Sequence, residues 1–184
     1  LPIGLGKHGH VFQAQLVAFK DGKVQCPYGT GYKVGAENNL QFVKPAVASE
    51  WHPTKNNGLE PVRFFWRSNK KVWWQCSKFK EHKYEAQISN RAVNNSKCPY
   101  CSGRKASNEN SLATISPDIA KEWHPTKNGD LTPKDITNSS SRRIWWQCSK
   151  NHEWDQAVYD RTRKDGKEIG CPFCSKKRFH PDHS

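Results

Sequence analysis

Trp73-Trp74-Gln75-Cys76-Ser77-Lys78 is the stretch that decides the fold, because the same residues return 72 positions later as Trp145-Trp146-Gln147-Cys148-Ser149-Lys150. A second motif, Glu-Trp-His-Pro-Thr-Lys-Asn, occupies residues 50–56 and returns at the same spacing at residues 122–128. Self-similarity at a fixed spacing is the mark of structural units repeated in tandem. The sequence therefore predicts repeated small units rather than one large core.

Each unit ends in a turn that carries cysteine. Cys98-Pro99-Tyr100-Cys101 closes one unit, and Cys171-Pro172-Phe173-Cys174 closes the next. An eroded copy, Cys26-Pro27-Tyr28-Gly29, stands 72 positions before the first, with glycine in place of the second cysteine. We therefore expect a degenerate, metal-free N-terminal repeat at 1–39, a first complete repeat with its linker at 40–111, a second complete repeat at 112–174, and a basic tail at 175–184.

The composition agrees with small units that need support beyond their core volume. Only 34% of the 184 residues are hydrophobic, yet the chain contains 8 Trp, 8 Phe and 5 Tyr, too many aromatic residues for a disordered basic chain. Small domains with modest cores are commonly held together by a metal or by disulfides. The sequence contains no run of about 18 apolar residues, so we expect no membrane partner.

Six of the seven cysteines form two sets of three, and a histidine joins each set at a matching place. The spacings are Cys76-x5-His82-x15-Cys98-x2-Cys101 and Cys148-x3-His152-x18-Cys171-x2-Cys174. Three thiolates and one imidazole suit tetrahedral Zn²⁺. Three cysteines cannot all pair as disulfides within one unit, and iron–sulfur clusters usually take four cysteines. We therefore predict two Zn²⁺ per chain, bound by Cys76, His82, Cys98, Cys101, Cys148, His152, Cys171 and Cys174.

The other cysteine and several histidines are predicted to lie outside the zinc sites. Cys26 has only His8 and His10 nearby as nitrogen ligands, so we expect its repeat to hold no metal. His52 and His124 lie in the Glu-Trp-His-Pro motifs, where packing or helix capping is the expected role.

Local patterns predict a short helix and a β-hairpin in each complete repeat. Serine followed by proline and an acidic residue is a helix start, and the aromatic stretches are typical of strands. The predicted fold class is small α+β zinc-stapled units in tandem, with β-hairpins of a zinc-ribbon or treble-clef-like type and short helices. The predicted elements are helices at 44–51 and 116–123, first strands at 72–76 and 144–148, and return strands at 82–91 and 152–161.

These motifs resemble those of a known family. The Glu-Trp-His-Pro-Thr-Lys-Asn, Trp-Trp-Gln-Cys and Cys-Pro-aromatic-Cys motifs are similar to the probable zinc-ribbon, treble-clef-like repeat domain, which occurs in tandem copies and sometimes beside nuclease domains. The resemblance covers residues 40–174 well and residues 8–40 poorly. It implies zinc binding at the eight residues above and contact with nucleic acid, and it implies no reaction.

The net charge indicates a polyanionic partner. The chain has 30 Lys and Arg against 17 Asp and Glu, a formal net charge of +13, which favours nucleic acid over a solvated basic surface without a partner. Basic residues recur near each predicted zinc site, where they suit phosphate contact. The predicted nucleic-acid contacts are Lys70, Lys71, Lys78, Arg91, Arg104, Lys105, Arg142, Arg143, Arg161, Lys176, Lys177 and Arg178.

The repeated tryptophans divide into two groups. Trp73 and Trp145 lie on the outer face of their predicted strands, where packing is favoured and stacking on bases is the alternative. The other group is predicted to pack the small cores and consists of Trp51, Trp74, Trp123 and Trp146.

The predicted function is non-enzymatic nucleic-acid binding. The protein supplies all four ligands to each zinc, whereas hydrolytic zinc needs an open position, and no His-Glu-x-x-His motif or phosphate-cradling glycine loop is present. We expect an RNA-contacting structural component of a large ribonucleoprotein such as an organellar ribosome, with other proteins as partners and no small-molecule substrate. The alternatives are a protein–protein scaffold in a complex or virion and a DNA-binding accessory of a nuclease system. We expect an intracellular, reducing compartment, and a mitochondrion or plastid agrees with Leu1 as a processed or truncated start.

Overall fold

The computed structural model describes residues 3–5, 10–13, 25–163, 170–176 and 178. Contacts divide the chain into two units, Leu1–Cys98 and Pro99–Ser184. This division falls inside the first complete cysteine turn rather than at residue 111, because the segment after the turn bonds to the second repeat. Leu112 N–H donates to the carbonyl oxygen of Ile136 at 2.9 Å, and Asn138 N–H donates to that of Asn110 at 3.1 Å.

The first unit contains two antiparallel β-hairpins. In the N-terminal hairpin, β1 (Ile3–Leu5) pairs with β2 (Val11–Gln13). In the hairpin of the first complete repeat, β3 (Lys71–Gln75) pairs with β4 (Lys83–Gln87). The helices of this unit are α1 (Leu40–Val43), α2 (Pro45–Ala48) and α3 (Ile88–Ala92), with a 3₁₀ turn at Pro61–Arg63.

The second unit repeats this order around one hairpin. No helix among the described residues is longer than five residues, and none there has the length and apolar character needed to cross a membrane. The predicted fold class of small α+β units with hairpins and short helices is confirmed. The elements are α4 (Leu112–Ile115), α5 (Pro117–Ala120), β5 (Arg143–Gln147) paired with β6 (Glu153–Ala157), and α6 (Val158–Thr162).

Two short helices precede the hairpin, where the sequence pattern predicted one helix. Ser116 separates α4 from α5 with φ −136° and ψ 65°, because a residue before proline is disfavoured in the helical region. Pro117 then begins α5 as predicted, but the helix ends at Ala120 rather than at residue 123. Trp123 instead pairs with Trp146 in an isolated β-bridge, which ties the segment after α5 to β5.

The return strands are shorter than predicted. β4 ends at Gln87 and β6 at Ala157, after which α3 and α6 begin, although the pattern predicted strands as far as residues 91 and 161. Neither Gln87 nor Ala157 makes a side-chain capping hydrogen bond. These helix starts therefore lack the capping signal by which a sequence usually reveals them.

In each complete repeat, one tryptophan on the first strand of the hairpin, β3 or β5, lies at the centre of the core. Trp74 and Trp146 are fully buried. Trp51 packs edge-on against Trp74 with ring centroids 5.6 Å apart, and Trp123 packs against Trp146 at 5.8 Å. These contacts confirm the predicted core role of the four repeated tryptophans.

Candidate metal centres

The β-hairpin of each complete repeat positions two of the predicted ligands. Cys76 follows β3 and His82 precedes β4, and the Cys76 N–H donates to the His82 carbonyl oxygen at 3.0 Å. Cys148 and His152 flank the second hairpin in the same way, with a corresponding distance of 3.1 Å. The closing hydrogen bond is therefore the same in both repeats although the two hairpin loops differ in length.

The cysteine turn supplies the other two ligands. In the second repeat, Ser175 N–H donates to the Cys171 carbonyl oxygen and Arg178 N–H donates to that of Pro172, both at 3.1 Å. The Cys174 N–H also donates to the Cys171 sulfur at 3.5 Å. These bonds close the turn and bring its two sulfur atoms to one side.

The ligand atoms converge in two groups. In each group three sulfur atoms and one histidine nitrogen lie within 4.8 Å of one another. The His152 Nδ1 atom lies 3.5 Å from Cys171 Sγ and 3.3 Å from Cys174 Sγ. A tetrahedral zinc ion with the usual bond lengths separates sulfur from nitrogen by about 3.6 Å. The structure thus brings all eight predicted ligands into two Cys3His groups that suit two zinc ions, namely Cys76, His82, Cys98 and Cys101, and Cys148, His152, Cys171 and Cys174.

The thiols of such a group need a cation to ionise together. Desolvation, with hydrogen bonds and negative charge from Cys171 and Cys148, raises the pKa of Cys174 to about 11. Burial opposes ionisation of Cys148, but hydrogen bonds from the backbone N–H groups of Lys150 and His152, together with side-chain hydrogen bonds from Cys171 and Cys174, outweigh it and lower the pKa of that thiol. A divalent cation removes this conflict because it binds every sulfur as thiolate. Three ligands of each group are buried and one cysteine is exposed, so the donor set fits a closed, four-coordinate zinc site.

A buried ion pair accompanies each zinc group. Arg91 on α3 forms an ion pair with Glu50, and Arg161 on α6 forms one with Glu122 at 2.6 Å. Both arginines are buried. A carboxylate inside the repeat neutralises each guanidinium, which argues against the predicted contact of Arg91 and Arg161 with nucleic acid. The recurrence of both partners, with the glutamate in the Glu-Trp-His-Pro motif, was the sequence signal for these pairs.

His52 and His124 hold the chain that follows them. In both, Nδ1 accepts hydrogen bonds from the backbone N–H groups two and three residues later, at 3.1 to 3.3 Å, so the proton of the neutral ring is on Nε2. The His124 Nε2–H donates to Glu153 at 2.9 Å. In the first repeat Lys83 stands at that position, and His52 Nε2 has no hydrogen-bond partner among the described residues. Burial, with the positive charges of Lys83 and Lys55, lowers the pKa of His52.

Three predicted nucleic-acid contacts meet in one groove of the second unit, which has a volume of about 460 Å³. Arg104 and Lys105 follow the first cysteine turn, and Arg142 precedes β5. Lys134 also lines the groove, although the sequence did not predict it. Its counterpart in the first repeat is Val62, so the repeat pattern contained no signal for it.

The groove exists because the cysteine turn is tied to the second repeat. The Asn110 side-chain amide donates to the carbonyl oxygens of Tyr100 at 2.7 Å and Lys105 at 3.1 Å. Its Oδ1 atom accepts from Ser107 N–H at 2.8 Å, while the Asn110 carbonyl oxygen accepts from Asn138 N–H at 3.1 Å. A single asparagine thus joins the segment that carries Arg104 and Lys105 to the repeat that follows.

The remaining predicted contacts that the structure describes do not line this groove. Arg143 forms an ion pair with Asp155 at 2.6 Å, so part of its charge is neutralised. Lys177 lies outside the described residues. The others are exposed and are not among the residues that line the groove, namely Lys70, Lys71, Lys78, Lys176 and Arg178.

Trp73 and Trp145 lie beneath lysine side chains. The Lys55 ammonium lies 3.9 Å from the Trp73 ring centroid, and the Lys127 ammonium lies 4.5 Å from that of Trp145. A lysine in this position occupies the ring face on which a base would stack. Packing, which the sequence favoured, therefore describes these residues better than base stacking.

Comparison with known families identifies the repeats. A family model described as a probable treble clef zinc finger domain matches residues 47–104 and 119–177. A search among curated proteins gave no match. Each matched segment contains one Cys3His group, and the two segments together cover more than half of the chain. The chain therefore belongs to the probable treble clef zinc finger domain family and carries two tandem copies of that domain.

Proposed function

We propose that this protein is a non-enzymatic zinc finger protein that binds the phosphate backbone of a nucleic acid in the groove of its second unit. The observation that carries the proposal is the convergence of Arg104, Lys105, Lys134 and Arg142 on one cavity. These cations come from three separate segments of the chain. A local run of basic residues therefore does not account for their meeting.

The charge balance of the groove favours an anion. Four cationic side chains line it against one carboxylate, that of Asp135. Hydrogen bonds from Thr132 lower the pKa of Asp135, so this carboxylate is ionised at neutral pH and the cations remain in excess. Arginine can donate two parallel hydrogen bonds to one phosphate. Such contacts supply affinity that falls with salt and depends little on base sequence.

We favour RNA over DNA as the partner. The described helices, of five residues or fewer, are too short to lie along a DNA major groove and read base edges as recognition helices do. RNA is commonly bound through phosphates, 2′-hydroxyl groups and overall shape. A small, basic, zinc-stapled protein suits a structural place in a large ribonucleoprotein, such as an organellar ribosome, beside other proteins.

The zinc ions have a structural role in this proposal. Protein ligands complete each four-membered group, whereas hydrolytic zinc keeps a position for water. The turn that ends at Cys101 leads directly to Arg104 and Lys105. Zinc at this turn would therefore hold in place the start of the segment that brings two cations to the groove.

Salt-dependent binding tests the proposal. Fluorescence anisotropy measures the affinity of the zinc-loaded protein for a short single-stranded RNA, and for DNA of the same sequence, from about 50 to about 200 mM salt. The double variant Arg104→Gln with Arg142→Gln should flatten the log–log slope by about 1.4, because each arginine contacts about one phosphate and each contact with a single strand contributes about 0.7 to the slope. The matched control, Arg63→Gln with Lys121→Gln, removes two exposed cations outside the groove.

We expect the control to bind RNA with nearly the wild-type slope. A groove variant that binds RNA with the affinity and slope of the wild type would overturn the proposed site. Equal affinity for DNA and RNA would contradict the preference for RNA while leaving phosphate binding in place.

Sedimentation of the native complex tests the place in a ribonucleoprotein. If RNA holds the protein there, RNase treatment should move the protein from the heavy fractions to the light ones. Retention in a heavy, RNA-free complex would contradict that assignment and favour a protein–protein scaffold.

A further inference from the structure

A cysteine–histidine pair survives in the N-terminal repeat. The His10 Nδ1 atom lies 3.6 Å from Cys26 Sγ. In the first complete group the His82 Nδ1 atom lies 3.7 Å from Cys98 Sγ, and the corresponding distance in the second group is 3.5 Å. We propose that His10 and Cys26 form half of a third metal site, which binds Zn²⁺ weakly through two protein ligands and takes its other ligands from outside the chain.

The hairpin before this pair matches the zinc hairpins. Leu5 pairs with Val11, and His10 is the residue immediately before β2. In the second repeat Gln147 pairs with Glu153, and the zinc ligand His152 is likewise the residue immediately before β6. His10 therefore stands immediately before its return strand, which is the place of the histidine in both complete groups.

The turn that holds Cys26 keeps the hydrogen bonds of a zinc turn. Thr30 N–H donates to the Cys26 carbonyl oxygen at 3.0 Å, and the corresponding bond in the second repeat is 3.1 Å. The Asn38 side-chain amide donates to the carbonyl oxygens of Tyr28 at 2.6 Å and Lys33 at 2.9 Å. The backbone of the turn that carries Cys26 is thus held by bonds that do not need a second cysteine, which reduces the ordering cost of binding.

A carboxylate lies behind the histidine. Glu37 Oε2 is 4.0 Å from His10 Nε2, and the Tyr28 ring packs on the imidazole with centroids 4.8 Å apart. Histidines that bind metals usually present their second nitrogen to a carboxylate or carbonyl, which orients the ring and makes it a better ligand. Glu37 lies beside Nε2 at ion-pair distance rather than hydrogen-bond distance, while Nδ1, the atom used in the complete groups, lies beside the sulfur.

Because the chain supplies only two ligands, we expect this site to bind Zn²⁺ weakly and to exchange it. Thiolate and imidazole both suit Zn²⁺, and the Cys26 thiol releases its proton to solvent as the zinc–sulfur bond forms. Water, or a thiol or imidazole of another protein, would complete the coordination. The expectation of a metal-free repeat is revised in this proposal, because the lost cysteines weaken the site while the remaining pair keeps the ligand geometry.

Gly29 offers a direct way to strengthen the site. It stands where the complete turns have their second cysteine. A Cβ atom at Gly29 would meet the Cys26 carbonyl oxygen at 3.5 Å and the Cys26 Cβ at 3.8 Å, which are ordinary van der Waals contacts. Gly29→Cys should therefore fit and add a third protein ligand.

Calorimetric titration of the full chain, already loaded with two zinc ions, tests the proposal. Added Zn²⁺ should give one further, weaker binding event, which Cys26→Ser and His10→Ala each abolish. Glu37→Gln should weaken this event by about tenfold. Gly29→Cys should tighten it by at least about tenfold, because a third thiolate joins the site.

The matched control is His180→Ala with His183→Ala, because histidines near the end of the chain can also bind zinc. This control should leave the third event unchanged, and every variant should keep its two tightly bound zinc ions and its circular dichroism spectrum. A third event that survives Cys26→Ser overturns the proposal. The absence of a third event in both the wild type and Gly29→Cys overturns it as well.

Discussion

The junctions that follow the first two cysteine turns share one hydrogen-bond frame. At the first junction the Asn38 amide donates to Tyr28 and Lys33 at 2.6 and 2.9 Å. At the second, the Asn110 amide makes the corresponding bonds at 2.7 and 3.1 Å. The first turn has glycine where the second has Cys101, so the frame does not depend on a complete set of zinc ligands.

The linings of the two junctions differ. At the first, Phe65 packs so closely on Gly31, whose φ is +81°, that a Cβ there would overlap the ring. At the second, Thr137 takes the place of Phe65 and Arg104 takes the place of Tyr32, and the cationic groove opens there. The asparagine frame therefore sets the backbone at both junctions, whereas the lining decides whether the junction is filled by an aromatic ring or available to an anion.

Among the changes that test the difference between complete and incomplete repeats, removal of a zinc ligand should have the largest effect on folding. Cys174→Ser should lose one tightly bound zinc ion and unfold mainly the second repeat, because zinc contributes about 10 kcal/mol or more to folding such small units. Cys26→Ser should keep both tightly bound ions. Zinc analysis and near-ultraviolet circular dichroism measure these outcomes, and equal damage from the two variants would contradict the difference between complete and incomplete repeats.

Breaking a buried ion pair should have the next largest effect. Arg91→Gln leaves Glu50 unpaired and should lower the free energy of unfolding by about 3 kcal/mol. Arg161→Gln should cost less, because the side chain of Glu122 is 32% exposed whereas that of Glu50 is 15% exposed. Urea denaturation in excess zinc measures both losses, and the reverse order would show that the exposure of the glutamate does not set the cost.

Exchanging the residue that faces the buried histidine should have a smaller effect on the free energy of unfolding. Lys83→Glu gives His52 Nε2–H an acceptor and should stabilise the first repeat by about 1 kcal/mol, whereas Glu153→Lys should destabilise the second repeat by a similar amount. Urea denaturation compares the variants, and zinc content is the control because Lys83 and Glu153 follow zinc ligands. Destabilisation by Lys83→Glu with zinc retained would contradict the assigned tautomer of His52.

Transferring cations from one junction to the other should have the smallest effect. Tyr32→Arg with Val62→Lys places at the first junction the residue types of Arg104 and Lys134. RNA affinity should rise a few-fold, and its salt slope should steepen by at most about 1.4. Tyr32→Gln with Val62→Gln is the neutral control in the same anisotropy measurement, and an equal rise in the control would show that charge is not the cause.

Repetition and ligand chemistry made much of this molecule predictable. Zinc accepts few residue types at restricted spacings, so the two Cys3His sets were visible in the sequence, and alternating aromatic strands marked the hairpins. The uncapped starts of α3 and α6 left no such mark, and Arg91 was therefore placed on a strand at the surface. The groove lies where a turn meets the repeat that follows it, and no local pattern records such a contact.

X-ray absorption at the zinc edge tests most directly the central claim that one Cys3His-bound zinc ion closes each complete repeat. In dialysed protein, the account predicts two zinc ions per chain with an average of three sulfur neighbours at about 2.3 Å and one nitrogen neighbour at about 2.0 Å. An average of two sulfur neighbours, a bound water oxygen, or a single ion per chain would contradict it.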